Sequence, residues 1–230
     1  MNAENPYDFC TLDDTSDCSN CGIEGRLVCK WDENIKNNFR AIGFPSVVIP
    51  SSGMILIGLA TGAWWPLIVY VLYFMSMFSV FEIRFLCSHC PYYSDKRKFL
   101  KCLGNHGSPK LWKYHPEPMN GFEKLMMRFG VIAMIFYIFP LTFLGYGVFY
   151  FSMHYSEFGL LALSGMIALL LASFMTSRSF VSTLKTFYCT RCVNFSCPLN
   201  TVPVSVVDEY LKRNPTMRDA WEKSGYRIGR

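Results

Sequence analysis

The stretch AIGFPSVVIPSSGMILIGLATGAWWPLIVYVLYFMSMFSVF, residues 41–81, contains no Asp, Glu, Lys or Arg. A membrane-crossing helix needs about 20 apolar residues at a rise of about 1.5 Å each, so this run holds two spans. They fall near 42–62 and 64–84. The break between them is Gly62-Ala63-Trp64-Trp65-Pro66, where the proline ends one helix or opens the next and the tryptophans suit a headgroup interface.

Residues 129–177 repeat the pattern with Glu157 as their one charge, and hold two more spans near 128–151 and 158–178, parted at His154-Tyr155-Ser156-Glu157. Both connections are too short for folded domains. The sequence therefore predicts an all-α integral membrane protein: four transmembrane helices in two hairpins, with small cysteine-rich cytoplasmic segments. The expected organisation is a cysteine-rich metal-binding segment at 1–40, a hairpin at 41–85, a loop at 86–127, a second hairpin at 128–178 and a tail with short helices at 179–230. Pro45, Pro50, Gly53 and Gly58 weaken the first span as an ideal helix, so a tilted or re-entrant segment stays open there, and Pro140 is placed to kink the third. The chain starts with Met1 to Asp14, polar and acidic, so no cleaved signal peptide is expected.

All 22 Lys and Arg residues lie in the N-terminal segment, the middle loop, the tail or the helix ends beside them, and both hairpin tips carry none. Positive segments stay inside, so Lys96, Arg97, Lys98, Lys101, Lys110 and Lys113 predict a cell (plasma) membrane protein with both termini cytoplasmic. The net charge of +5 then describes orientation and attraction to anionic lipid, and no nucleic-acid partner is expected.

The ten cysteines stand outside the four predicted spans, at 10, 18, 21 and 29, at 87, 90 and 102, and at 189, 192 and 197. Each group contains one Cys-x-x-Cys pair, a spacing that lets two thiolates converge on one ion within a tight turn. Cys10, Cys18, Cys21 and Cys29 supply four thiolates, enough for one tetrahedral site in a segment whose polar residues predict little core of their own. Cys87, Cys90 and Cys102 form one half-site and Cys189, Cys192 and Cys197 another, each one ligand short of four. His106, four residues after Cys102, is the candidate fourth ligand of the first group, ahead of His89 and His115. The two half-sites also have the option of one shared cluster or a two-metal site. Cys90-Pro91 and Cys197-Pro198 resemble the Cys-Pro endings of iron–sulfur loops, a weak cue alone. Iron–sulfur and zinc both remain open. Disulfides would replace metal in an oxidising compartment, and palmitoylation is an option for Cys87 beside its span.

The middle loop from Gly104 to Pro116 mixes lysines with Trp112 and Tyr114, as an interfacial anchor does. Asn120 and Glu123 have the spacing of a capping box for the third span. In the tail, Val204 to Arg213 fits an amphipathic helix, and Asn214-Pro215 reads as the cap and first residue of another, with Trp221 on its apolar face, ending at Gly225. Glu82 and Arg84 lie close enough to a membrane end to snorkel. No phosphate-binding loop, dinucleotide fingerprint, nucleophile elbow or zinc-protease helix is present. Two function classes follow. One is a membrane metalloprotein in electron transfer with a membrane or cytoplasmic protein partner or a quinone. The other is a non-enzymatic scaffold or assembly factor with structural zinc. Thiol–disulfide exchange would need a thioredoxin-like setting that the sequence lacks.

Overall fold

The computed structural model describes residues 5–13, 16, 18, 21–102 and 104–229. The polar start of the chain, Met1 to Asp14, lies partly outside these residues. Among the described residues the chain is helical without strands, and one isolated antiparallel bridge pairs Phe99 with Pro109. Four helices are long and apolar enough to cross a membrane: Glu33–Thr61, Trp65–His89, Gly121–Met153 and Tyr155–Tyr188.

Each is longer than the apolar run that predicts it. The first starts at Asp32, whose carboxylate accepts the amide hydrogens of Asn34 and Ile35, passes one turn residue at Phe44, and continues through Pro45 and Pro50 to Thr61. It ends at Gly62, whose φ of 72° is the left-handed conformation that glycine adopts freely. The second contains a wide π turn at Met77–Phe81 and closes with a tight turn at Cys87–His89. The third opens with the expected capping box between Asn120 and Glu123. It then widens into a π-helical stretch over Met127–Ile138, just before Pro140. In a regular helix the Pro140 ring would meet the carbonyl of Phe136 and leave it without a donor, and a widened ladder removes that conflict. The fourth is interrupted at Gly159, φ 73° and ψ −177°, and its last turn, Leu184–Tyr188, is again π-helical.

The third helix packs against the other three, and the fourth lies on the first and third. Met54, Ile57, Ile135, Leu144 and Met166 are fully buried at this core. Small residues let the backbones approach: a Cβ on Gly53 would collide with Leu144, and one on Gly147 would stand 2.7 Å from Ile57. Close packing of this kind holds helices together where lipid is as apolar as the core. Leu160, Leu161, Leu171 and Met175 of the fourth helix point outward and stay exposed, an apolar surface suited to lipid and not to water.

Ring contacts gather four helix ends at one end of the bundle. Phe39 meets Phe180 and Tyr188 at 5.7 and 5.2 Å, Phe85 meets Phe122 at 5.9 Å, and Arg84 pairs with Glu123 at 3.3 Å. On that end sits a second core. Phe9, Ile23 and Leu27 of the N-terminal segment pack with Val206, Tyr210, Leu211, Met217 and Trp221 of the tail helices, Val204–Arg213 and Pro215–Lys223. The N-terminal segment therefore has apolar partners that its own composition does not reveal, and it docks on the tail.

Candidate thiol centres

The N-terminal cysteines are arranged by turns and by two distant anchors. The amide of Cys21 donates to the Cys18 carbonyl at 3.0 Å, closing the turn between that pair. Lys30 donates its ammonium hydrogens to the carbonyls of Cys10, at 3.2 Å, and of Asp13, and to the Ser16 hydroxyl at 2.8 Å. Asn214, buried at the start of the last helix, accepts the Cys10 amide hydrogen at 3.0 Å and donates to the Cys10 sulfur at 3.5 Å. Its side chain caps no helix, because it is occupied with Cys10 and with the Tyr210 carbonyl. Burial pushes the Cys29 thiol up to about 12, and the neighbouring charges of Cys10, Cys21 and Cys18 add to that, so the four sulfurs share one neighbourhood.

The other six cysteines meet at the ends of the second and fourth helices. The second helix runs on to His89, so Cys87 is part of its last turn, and the fourth runs to Tyr188, so Cys189 follows its end directly. The spans as predicted from hydropathy put Cys189 ten residues farther out. Both Cys-x-x-Cys pairs thus hang from rigid helix ends. The neighbouring Cys87 thiol and the backbone amides of Asn105 and Gly104 favour the Cys102 thiolate and pull that thiol down to about 7. Burial raises Cys90, which also feels Cys192, Cys102 and Cys197. Cys192 is pushed up to about 12 by burial, with Cys189 and Cys102 contributing, and Cys189 to about 11 by burial. Cys197 is raised by burial and by Cys192, Cys189 and Glu82. Influence across the two segments runs between Cys90 and both Cys192 and Cys197 and between Cys102 and Cys192, so the two three-cysteine groups adjoin in one basin.

Three asparagines shape this basin, and spacing after a cysteine is the signal that would have found them. Asn105, three residues past Cys102, donates its amide hydrogen to the Cys102 sulfur at 3.4 Å and its side chain to the Cys87 sulfur at 3.3 Å. Asn194, two past Cys192, donates to the Leu86 carbonyl at 2.9 Å and so ties the tail to the end of the second helix. Asn200, three past Cys197, donates to the carbonyls of Cys192 and Asn194 at 2.8 and 3.0 Å. Hydrogen bonds to sulfur and to ligand loops of this kind orient thiolates and set their basicity in metal sites.

The histidines make contacts of their own, while His106 Nδ1 and His89 Nε2 are buried without a hydrogen-bond partner among the described residues. His106 stacks on Trp31, rings 4.8 Å apart, and its carbonyl accepts from Arg40 at 3.4 Å. Partial burial and the charges of Lys36 and Arg40 lower its pKa. His89 bonds the Glu117 carbonyl at 2.7 Å and lies 3.4 Å from the Glu123 carboxylate, while His115 bonds Glu117 at 3.0 Å. Among the described residues no three His, Cys, Asp or Glu side chains stand as a ready-made metal-binding group.

The two sets are stitched to each other. The Tyr92 hydroxyl, two residues from Cys90, donates to the carbonyls of Cys29 and Val28 at 3.0 and 3.2 Å. The Val28 amide donates to the carbonyl of Arg191, inside the Cys189-x-x-Cys192 turn, at 2.8 Å. Comparison with protein-family models, curated proteins and solved structures finds no match for this chain.

Proposed function

We propose that this chain is an integral membrane metalloprotein that moves electrons between a membrane partner, such as a quinone, and a cytoplasmic protein through two cysteine-ligated iron–sulfur centres. In this reading the four apolar helices cross the membrane as two hairpins with both termini and all ten cysteines on the cytoplasmic face, supported by the lysines and arginines of the segments outside the helices. Cys10, Cys18, Cys21 and Cys29 hold one centre. Cys87, Cys90, Cys102, Cys189, Cys192 and Cys197 hold the other, with His106 left to its stack on Trp31.

The observation that carries this reading is the stitching of a four-thiol set to a six-thiol set by Tyr92 and by the Val28–Arg191 hydrogen bond, at the end of an apolar bundle. Two adjoining centres, one against the membrane and one beyond it, make a path. Buried, hydrogen-bonded sulfur is the means by which a protein tunes cluster potential. In this role the side chains bind and insulate the metal and perform no acid–base step.

A second reading has its own support in the docking of the N-terminal segment on the tail: zinc in either set would rigidify this layer as a scaffold for protein contact. Anaerobic purification of the full chain, with iron, zinc and sulfide measured and the spectrum recorded before and after dithionite, separates the two. Iron with sulfide and a reducible signal supports electron transfer. Colourless protein loaded with zinc overturns it in favour of the scaffold, and metal-free protein overturns both.

A further inference from the structure

The geometry points to a site for the phosphate of an anionic lipid at the head of the first long helix, where Arg40 and Lys101 flank the stacked rings of Trp31 and His106; it stands apart from the metal reading above. The His106 ring stacks on Trp31 at 4.8 Å, and the ammonium groups of Lys101 and Lys36 lie over the same indole at 5.5 and 5.8 Å. Arg40, one turn beyond Lys36 on the same helix, donates to the His106 carbonyl at 3.4 Å. Two segments 66 residues apart are thus joined at a point rich in cations.

The carboxylates nearby are already committed. Glu33 pairs with Lys36 and accepts from the Trp31 indole at 3.0 Å, and Asp95 pairs with Arg97 and Lys110. Arg40 and Lys101 form no ion pair among the described residues. A polar cleft on Trp31 and Lys101 adds Lys30 and Arg97, with Asp95 as the one carboxylate among its described lining residues. The surplus is therefore positive, and an anion relieves it. Depth selects a lipid over a soluble anion. Arg40 is the last charged residue before the uncharged run 41–81, so in a bilayer the cluster stands where the first helix leaves the headgroups. The loop is held at that level, because a Cβ on Gly104 would lie 3.9 Å from the Phe39 ring, which itself packs on Phe180 and Tyr188 at the bundle end. Tryptophan with cations around it is the chemistry of headgroup depth, and a guanidinium beside an ammonium matches a phosphate.

The test titrates the anaerobically purified full chain in detergent with phosphatidylglycerol, with phosphatidylcholine of the same acyl chains and with inorganic phosphate, and reads bound lipid by native mass spectrometry. Each unpaired cation is worth about fivefold in affinity, so wild type should prefer phosphatidylglycerol to phosphatidylcholine by about 30-fold, and inorganic phosphate should not displace it. Arg40→Gln with Lys101→Gln should erase that preference. Lys96→Gln with Lys98→Gln removes the same charge from exposed lysines of the same loop and should leave most of it. Arg40 is exposed and Lys101 half-exposed, so the first pair is expected to fold, as circular dichroism and monodispersity will show. Equal affinity of the wild type for the two lipids overturns the site without recourse to any variant. Loss of the preference in both double variants would trace it to general positive charge and overturn the site as well. Displacement of the lipid by inorganic phosphate at matched concentration would reveal a soluble anion's site and reject the lipid.

Discussion

Replacing Asn214 with Ala removes three hydrogen bonds from the joint between the first and last parts of the chain. The carboxamide accepts the Cys10 amide hydrogen at 3.0 Å and donates to the Tyr210 carbonyl at 2.8 Å and the Cys10 sulfur at 3.5 Å, at a position with 1% exposure. Water cannot replace it without a cavity opening. A buried backbone group left unsatisfied costs about 1–3 kcal/mol, and two such groups, the Cys10 amide and the Tyr210 carbonyl, place the loss at about 2–6 kcal/mol. The loss falls on the docking of the N-terminal segment, so residues 5–30 should lose protection while the four long helices keep theirs. Hydrogen exchange read by mass spectrometry on the full chain in detergent resolves the two regions. Asn214→Asp keeps the acceptor and loses both donors, and should fall between Ala and wild type. Exchange in residues 5–30 unchanged by Asn214→Ala would refute the docking, because no other side chain bonds the Cys10 amide among the described residues.

Three further outcomes follow from the same structure. In metal-stripped protein Cys29, Cys189 and Cys192 sit at about 12, 11 and 12 against 9.0 for a free thiol, so the unfolded chain releases protons first. The stability that these three thiols contribute is then fully present below pH 9 and falls between pH 9 and 12, whereas metal-loaded protein, whose thiolates are already deprotonated, instead weakens on acidification; thermal melts of both forms across pH give the two signs. Gly147→Leu drives a side chain into Ile57 and Met166 and should cost about 1–3 kcal/mol of bundle stability, seen as a lower midpoint in detergent-denaturant titration, while Gly145→Leu, with open space around its Cβ, should cost less. A cysteine placed at Ala63 or Ser156 should react with an impermeant thiol reagent added outside intact cells, and reporters fused to either terminus should be active only inside; labelling of the tips solely after lysis would reverse the proposed orientation.

Hydropathy and its interruptions made the four apolar helices legible, and so did the capping box at Asn120 and Glu123 and the tail helices with Trp221 inward. Helix ends were less legible. Charged residues such as Glu82, Arg84, Arg178 and Lys185 end a hydrophobic run without ending the hydrogen-bonded helix, since hydropathy marks a solvent boundary and the backbone ladder does not depend on it. That difference is what brings both Cys-x-x-Cys pairs onto helix ends. His106 is near Cys102 in sequence, and its stack on Trp31 of a distant segment is what no local spacing foretells.

What the sequence by itself determined is local and one-dimensional: which segments are apolar enough for lipid, and which carry paired thiols. The tertiary structure alone decided that Asn214 reaches Cys10 across 204 residues, that Tyr92 joins the two thiol sets, and that Asn194 ties the tail to the end of the second helix. Such meetings depend on the rotation and length of each helix, which π turns and close packing at glycine set together, and no window along the chain contains that information.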